Sequence, residues 1–269
     1  METMSRQSTR LYRQIAAEAR LFWRNREAVY MTFLIPLLGM ALFVYLNREG
    51  MLDGIFGVLL RGLGGREGLS QLPPLAFLTL GIITYCIIAA AFEGPVPKLV
   101  RERETGIFKR LGGTPLPAWV LLLAKALSAS GLVFLQAALI LAVGAVSSDI
   151  TVAGSGVLLA LILLLGTLAV APLGFVLSSL RMSADAAVMA VHAIYIPMLL
   201  LCGAFVPVEA LPGALQAVAR LFPLTYFVAP FRSVMIEGAG PGAIAVDLLI
   251  LLAWAVAGWL VAVKTFRWD

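Results

Sequence analysis

Apolar and polar positions along the chain fall into long blocks rather than short alternations. Largely apolar stretches cover residues 28–46, 74–94, 119–146, 156–180, 184–206 and 243–263. Each is near or above the roughly 20 residues that an α-helix needs to cross the ~30 Å hydrocarbon layer of a bilayer. The pattern predicts an all-α integral membrane fold of six transmembrane helices, with residues 1–269 as a single membrane domain. The third stretch exceeds a perpendicular crossing and is expected to tilt or protrude. Pro36 and Pro172 fall inside spans, where the carbonyl that each ring frees is expected to find a donor on a neighbouring helix.

Two segments break the pattern. Within 9–25, Leu11, Ile15, Ala19 and Phe22 recur at helical spacing with arginines elsewhere. That predicts an amphipathic helix lying on the membrane surface ahead of the first span. Residues 207–240 are apolar but broken by Pro207, Pro212, Pro223 and Pro230. They predict two short helices that dip into the outer leaflet or lid the outer face, covered by protein wherever the backbone is irregular.

Composition agrees: 61% of residues are hydrophobic and 13% charged, against about 25% charged in a soluble domain. The net charge of +5 is then a matter of placement rather than a nucleic-acid signal. Fourteen Lys and Arg residues fall in the N-terminal segment, the loop after span two, the turn after span four and the C-terminus; five fall on the other side. The positive-inside rule puts both termini and the 97–113 loop in the cytoplasm of a multi-pass cell-membrane protein. Lys125, one turn into span three, is expected to snorkel to that face. The first 27 residues hold six arginines and no apolar core, so no cleaved signal peptide is expected. Cys86 and Cys202 lie inside spans and read as apolar fillers. With a single histidine, no metal centre is expected.

The polar segment most in need of an explanation is RERETGIFKRLGG, from Arg101 to Gly113. Read as a helix over 97–113, it has Pro97 near its start, Glu102 and Glu104 toward the N-terminal half, and Lys109 and Arg110 in the last turn, as the helix dipole favours. Val100, Ile107, Phe108 and Leu111 make an apolar stripe, and Gly112, Gly113, Pro115 and Pro117 end the helix. A topology signal needs only positive charge. Interleaved glutamates, an apolar stripe and a helix stop suit docking to a partner protein.

The run from Arg101 to Leu127 also resembles the signature of the type 2 ABC transporter permeases: Glu102 and Glu104, Gly106, the basic pair Lys109-Arg110, Leu111, Thr114-Pro115-Leu116, and Lys125. Arg24 to Pro36 resembles that family's approach to its first span, with Arg26 where the family usually has proline. Leu211 to Gly238 resembles the segment before its last span. The resemblance implies six spans, an interfacial helix, a cytoplasmic coupling helix and a re-entrant hairpin. It also implies a dimer, homomeric or heteromeric, docked to ATP-binding cassette subunits and working mostly in export. The docking candidates are Arg101, Glu102, Arg103, Glu104, Thr105, Gly106, Ile107, Phe108, Lys109, Arg110 and Leu111.

None of the four lysines follows a glycine, so none completes a phosphate-binding loop. The chain is expected to have no catalytic residues and no cofactor of its own; ATP and magnesium would be held by a separate ATPase. Polar residues inside spans are candidates for a substrate path by default. These are Thr84, Tyr85, Gln136, His192 and Tyr195. The resemblance brings spans two and five to the central path and adds Met198. Glu93 is expected to be an interfacial charge paired with Lys98 or Arg101. The mostly apolar walls favour an amphipathic, lipid-like or drug-like substrate. The alternative is an ATP-independent secondary transporter, though neither an inverted repeat nor a central carboxylate stands out. An intramembrane protease lacks its catalytic constellation.

Overall fold

The computed structural model describes residues 2–62, 74–113, 116–148 and 152–268. Among these there is no strand, and six helices are long and apolar enough to cross a membrane. The order is α1 (Glu2–Arg24), α2 (Arg26–Arg48), α3 (Met51–Gly62), α4 (Pro74–Ile88), a π turn (Ala89–Glu93), α5 (Pro95–Glu104), α6 (Ile107–Gly112), α7 (Ala118–Ser148), α8 (Gly156–Ser178), α9 (Ala184–Leu201), a short 3₁₀ turn (Val208–Ala210), α10 (Gly213–Ala219), α11 (Pro223–Glu237) and α12 (Ala245–Thr265). Helix α1 is the expected amphipathic helix. It stops at Asn25, whose side chain caps α2 by accepting from the Ala28 N–H at 3.2 Å.

Helix α8 is central and packs against α7, α11, α12 and the π turn. Close approach depends on missing side chains. A Cβ at Gly166 would come within 2.6 Å of the Phe227 ring of α11, and one at Gly258 within 3.0 Å of Pro172. The prolines are accommodated as expected. Pro36 removes the donor to the Thr32 carbonyl, and Gln136 Nε2 of α7 donates to it instead at 2.7 Å. Pro172 does the same to the Leu168 carbonyl, and Trp259 Nε1 of α12 supplies the bond at 3.1 Å. Pro36 and Pro172 thus each specify a neighbouring helix.

A bent helix pair stands where two short helices were expected: α10 and α11 meet at 95°. The corner is fastened by Thr225 Oγ1, which donates to the Ala219 carbonyl, and by Tyr226 OH, which donates to the Arg220 carbonyl at 3.0 Å. Gly238, at φ 68°, closes α11 in the left-handed region.

Three details differ from expectation. Span five ends at Leu201 rather than 206, because Gly203 at φ 90° turns the chain. Helix α3 was not anticipated; it is short and packs against α2 and α4, with Leu52 buried. The segment expected as one helix over 97–113 is two. Residues Pro74–Glu104 form one continuous rod that runs through the π turn, and Gly106, at φ 71°, separates it from α6. The π turn makes this possible. Gly94 N–H bonds the Ala89 carbonyl five residues back, and the register shift absorbs the absent N–H groups of Pro95 and Pro97.

Candidate functional site

At the end of the bundle that holds both termini, α5 and α6 form an elbow tied to four other elements. The first tie is a charged knot. Lys125 Nζ of α7 lies 2.8 Å from Glu18 Oε1 of α1 and 3.4 Å from Glu102 Oε2 of α5. Lys98 Nζ lies 3.6 Å from Glu18 Oε2 and 3.9 Å from Glu102 Oε1. The side chains of Lys125 and Glu18 are only 8% and 10% exposed, so Lys125 is locked inside the knot rather than snorkelling into open water. Burial pushes the Glu18 carboxyl up, but Lys125 and Lys98 outweigh it and hold the group below its ordinary value.

A second tie runs to the α8–α9 turn. Arg103 Nη1 donates to the Ser178 carbonyl, and Glu104 Oε1 accepts from the Ala184 N–H at 3.2 Å. A carboxylate on the first turn of α9 suits the helix dipole. The third tie reaches the C-terminal segment: the buried Phe108 ring lies 5.4 Å from Phe266 and 6.4 Å from Trp268.

The proposed stripe therefore divides. Val100 and Phe108 are buried anchors that hold the elbow to its own bundle. Ile107 is 44% exposed and faces outward with Arg101, Thr105, Lys109 and Arg110. Glu104 is exposed although one oxygen caps α9; Glu102, Arg103 and Gly106 are half-buried. The Leu111 side chain and residues 114 and 115 lie outside the described residues.

The intramembrane candidates also separate. Gln136 is buried and spent on the Thr32 carbonyl. Thr84 is buried and donates to the Leu80 carbonyl of its own helix at 2.8 Å. Met198 is buried. His192, Tyr195 and Tyr85 do come together, around the π turn. His192 Nε2 lies 3.8 Å from Glu93 Oε1, its ring is 5.2 Å from that of Tyr195, and Nδ1 is 2.7 Å from the Val188 carbonyl. Both Tyr85 and Tyr195 lie within reach of the Glu93 charge. Glu93 thus faces a histidine on the fifth span, whereas of its expected partners Lys98 points into the knot and Arg101 is exposed. No group of residues that would hold a metal ion occurs among the described residues.

Sequence reasoning missed Glu18. A signal was there: Leu11, Ile15, Glu18 and Phe22 fall at i, i+4, i+7 and i+11, so a lone acid sits on the apolar face of an arginine-rich helix.

Comparison with known proteins agrees with this architecture. A family profile described as ABC-2 type transporter matches residues 10–236. The probable multidrug ABC transporter permease YbhR of Escherichia coli K12 is 30% identical over 141 residues, which is 52% of this chain and 38% of the relative. The corresponding YbhS is 29% identical over 183 residues, 67% of this chain and 48% of the relative. The inner membrane transport permease YhhJ is 28% identical over 172 residues, 63% and 46% respectively. The matched part is thus less than half the length of each of these relatives. With the profile spanning most of its residues, the chain belongs to the ABC-2 type transporter family.

Proposed function

We propose that this chain is the membrane permease subunit of an ATP-binding cassette exporter. It acts as one of two permeases related by an approximate two-fold axis. The α5–α6 elbow faces the cytoplasm and docks a separate ATPase subunit through Arg101, Thr105, Ile107, Lys109 and Arg110. The observation that carries this reading is the triple fastening of the elbow: to α1 and α7 through the charged knot, to α9 through Glu104, and to the C-terminal segment through Phe108. A loop that only set topology would need none of these.

Closure of two ATPase subunits would push the elbows, and the ties would carry that push into α1, α7, α9 and α12 as rigid bodies. Such coupling requires ATP binding to favour one arrangement of the spans by several kcal/mol. The cargo fits an amphipathic or drug-like molecule, in keeping with the apolar spans and with the multidrug names of two relatives. The His192–Glu93–Tyr195 cluster beside the π turn is the polar contact such a cargo would meet.

The test is co-expression of the tagged chain with cassette ATPases encoded beside it, followed by co-purification and an ATPase assay. Recovery of an ATPase whose activity rises with the permease is the expected result. A chain that purifies alone, and stimulates none of them, would sink the proposal.

A further inference from the structure

Beside the π turn, a half-open cavity of about 280 Å³ lies between α1, α2, α7 and the 74–104 rod. Its walls are small: Ala89 and Ala90 of the π turn face Ser128 and Ala129 of α7. A π turn widens the helix locally, and side chains this short do not fill the added space. One end of the cavity is charged, lined by Glu18, Lys98 and Lys125; the rest is mainly apolar, bounded by residues such as Phe22 and Leu132. Leu21, 56% exposed, marks its mouth at the α1–α2 elbow. Exposed Trp23, Tyr30, Met31 and Leu34 lie on the same two helices.

Three facts choose the occupant. The mouth sits where a surface helix turns into a spanning helix, the depth at which headgroups meet acyl chains. The cavity is charged at one end and apolar along its length, the polarity of a single lipid. Lys98 is half-exposed and its two ion pairs, at 3.6 and 3.9 Å, are longer than hydrogen bonds, so its ammonium has donors left to give. Lys125 is already committed at 2.8 Å.

We propose that this cavity binds one membrane phospholipid, with its phosphate on Lys98 and part of one acyl chain against Ala90 and Ala129. The second chain stays in the bilayer. A lipid so placed holds α1 against α7 and makes the charged knot sensitive to lipid composition. The inference rests on the chain spanning a membrane, not on the identity of its cargo or its ATPase.

Native mass spectrometry of the purified full chain, titrated with phosphatidylglycerol, tests it. The wild type should retain one lipid through detergent exchange. Ala129→Phe, which fills the cavity, should lower that occupancy at least tenfold. Lys98→Gln removes only the longer, half-exposed ion pairs and keeps the 2.8 Å Glu18–Lys125 pair, so the chain should still fold. It should weaken phosphatidylglycerol retention about fivefold, the effect of one lysine at a membrane surface, while diacylglycerol retention stays unchanged. Equal retention by wild type and Lys98→Gln would overturn the phosphate assignment. Retention undiminished in a helical Ala129→Phe chain would overturn the site. Loss of amphiphile transport in Ala129→Phe with lipid retention intact would also overturn it, by giving the cavity to the cargo.

Discussion

Lys125 is the residue on which most of the elbow's electrostatics converge, and its removal separates a structural role from a topological one. Lys125→Met would leave Glu18 and Glu102 facing a half-neutralised pocket. Breaking a buried pair this way costs about 3 kcal/mol or more, expected as a lower thermal unfolding midpoint in detergent. The pH dependence has a definite sign. Glu18 titrates below its ordinary value in the folded protein, so its contribution is complete well above the unfolded carboxylate value of about 4.3 and disappears as pH falls through the lower folded value. Wild type and Glu18→Gln should therefore differ in stability at pH 7 and converge as pH falls below that lowered folded value. A constant gap across that range would place the effect in packing. Gln136 offers a second residue-scale test. Gln136→Leu orphans the Thr32 carbonyl at a cost of about 1–3 kcal/mol. Pro36→Ala restores that carbonyl's helical donor, so the double variant should recover most of the loss. If the two changes simply add, the proline-linked account is wrong.

Among the elements, what was legible from sequence was what local pattern controls. Six apolar blocks, the amphipathic α1 and the proline-broken hairpin all read directly, because length, periodicity and missing N–H groups act within one segment. The elbow did not. A glycine inside a helical pattern reads as tolerable, and the stripe through Val100 and Phe108 reads as one surface. Gly106 is left-handed because Phe108 must turn back onto Phe266 and Trp268, more than 150 positions away in the chain, and local periodicity carries no trace of that contact. The π turn was equally hidden. It depends on Pro95 and Pro97 and on Gly174 of α8, where a Cβ would lie 3.1 to 3.3 Å from Val96, the Ala91 carbonyl and Phe92. Of the candidate residues, the polar outward face of the elbow and the closeness of His192 to Tyr195 were readable; the Glu18–Lys125 tie needed two distant helices to meet. Gly106→Ala measures the elbow at this scale. A left-handed alanine costs about 1–2 kcal/mol, and relief of that strain would straighten the break; if the elbow docks an ATPase as proposed, its stimulation should fall while the spans keep their helicity by circular dichroism.

For the whole molecule, the decisive contrast is between Ile107 and Phe108, adjacent residues that the sequence pattern makes equivalent and the structure does not. Phe108 is fully buried against the C-terminal aromatics, so Phe108→Asp places an unpaired carboxylate in an apolar pocket and should destabilise the protein severely, with loss of monodisperse material. Ile107 is 44% exposed and touches no such pocket, so Ile107→Asp should leave the unfolding midpoint within a degree or two of wild type. If the elbow transmits ATP-driven motion, that same substitution should abolish or greatly reduce stimulation of a co-purified ATPase and stop transport, because an apolar contact to the partner is replaced by a hydrated charge. A stable Ile107→Asp chain that stimulates its ATPase normally would mean that the outward face of the elbow is not the docking surface. The triple fastening would then serve only to hold the bundle together.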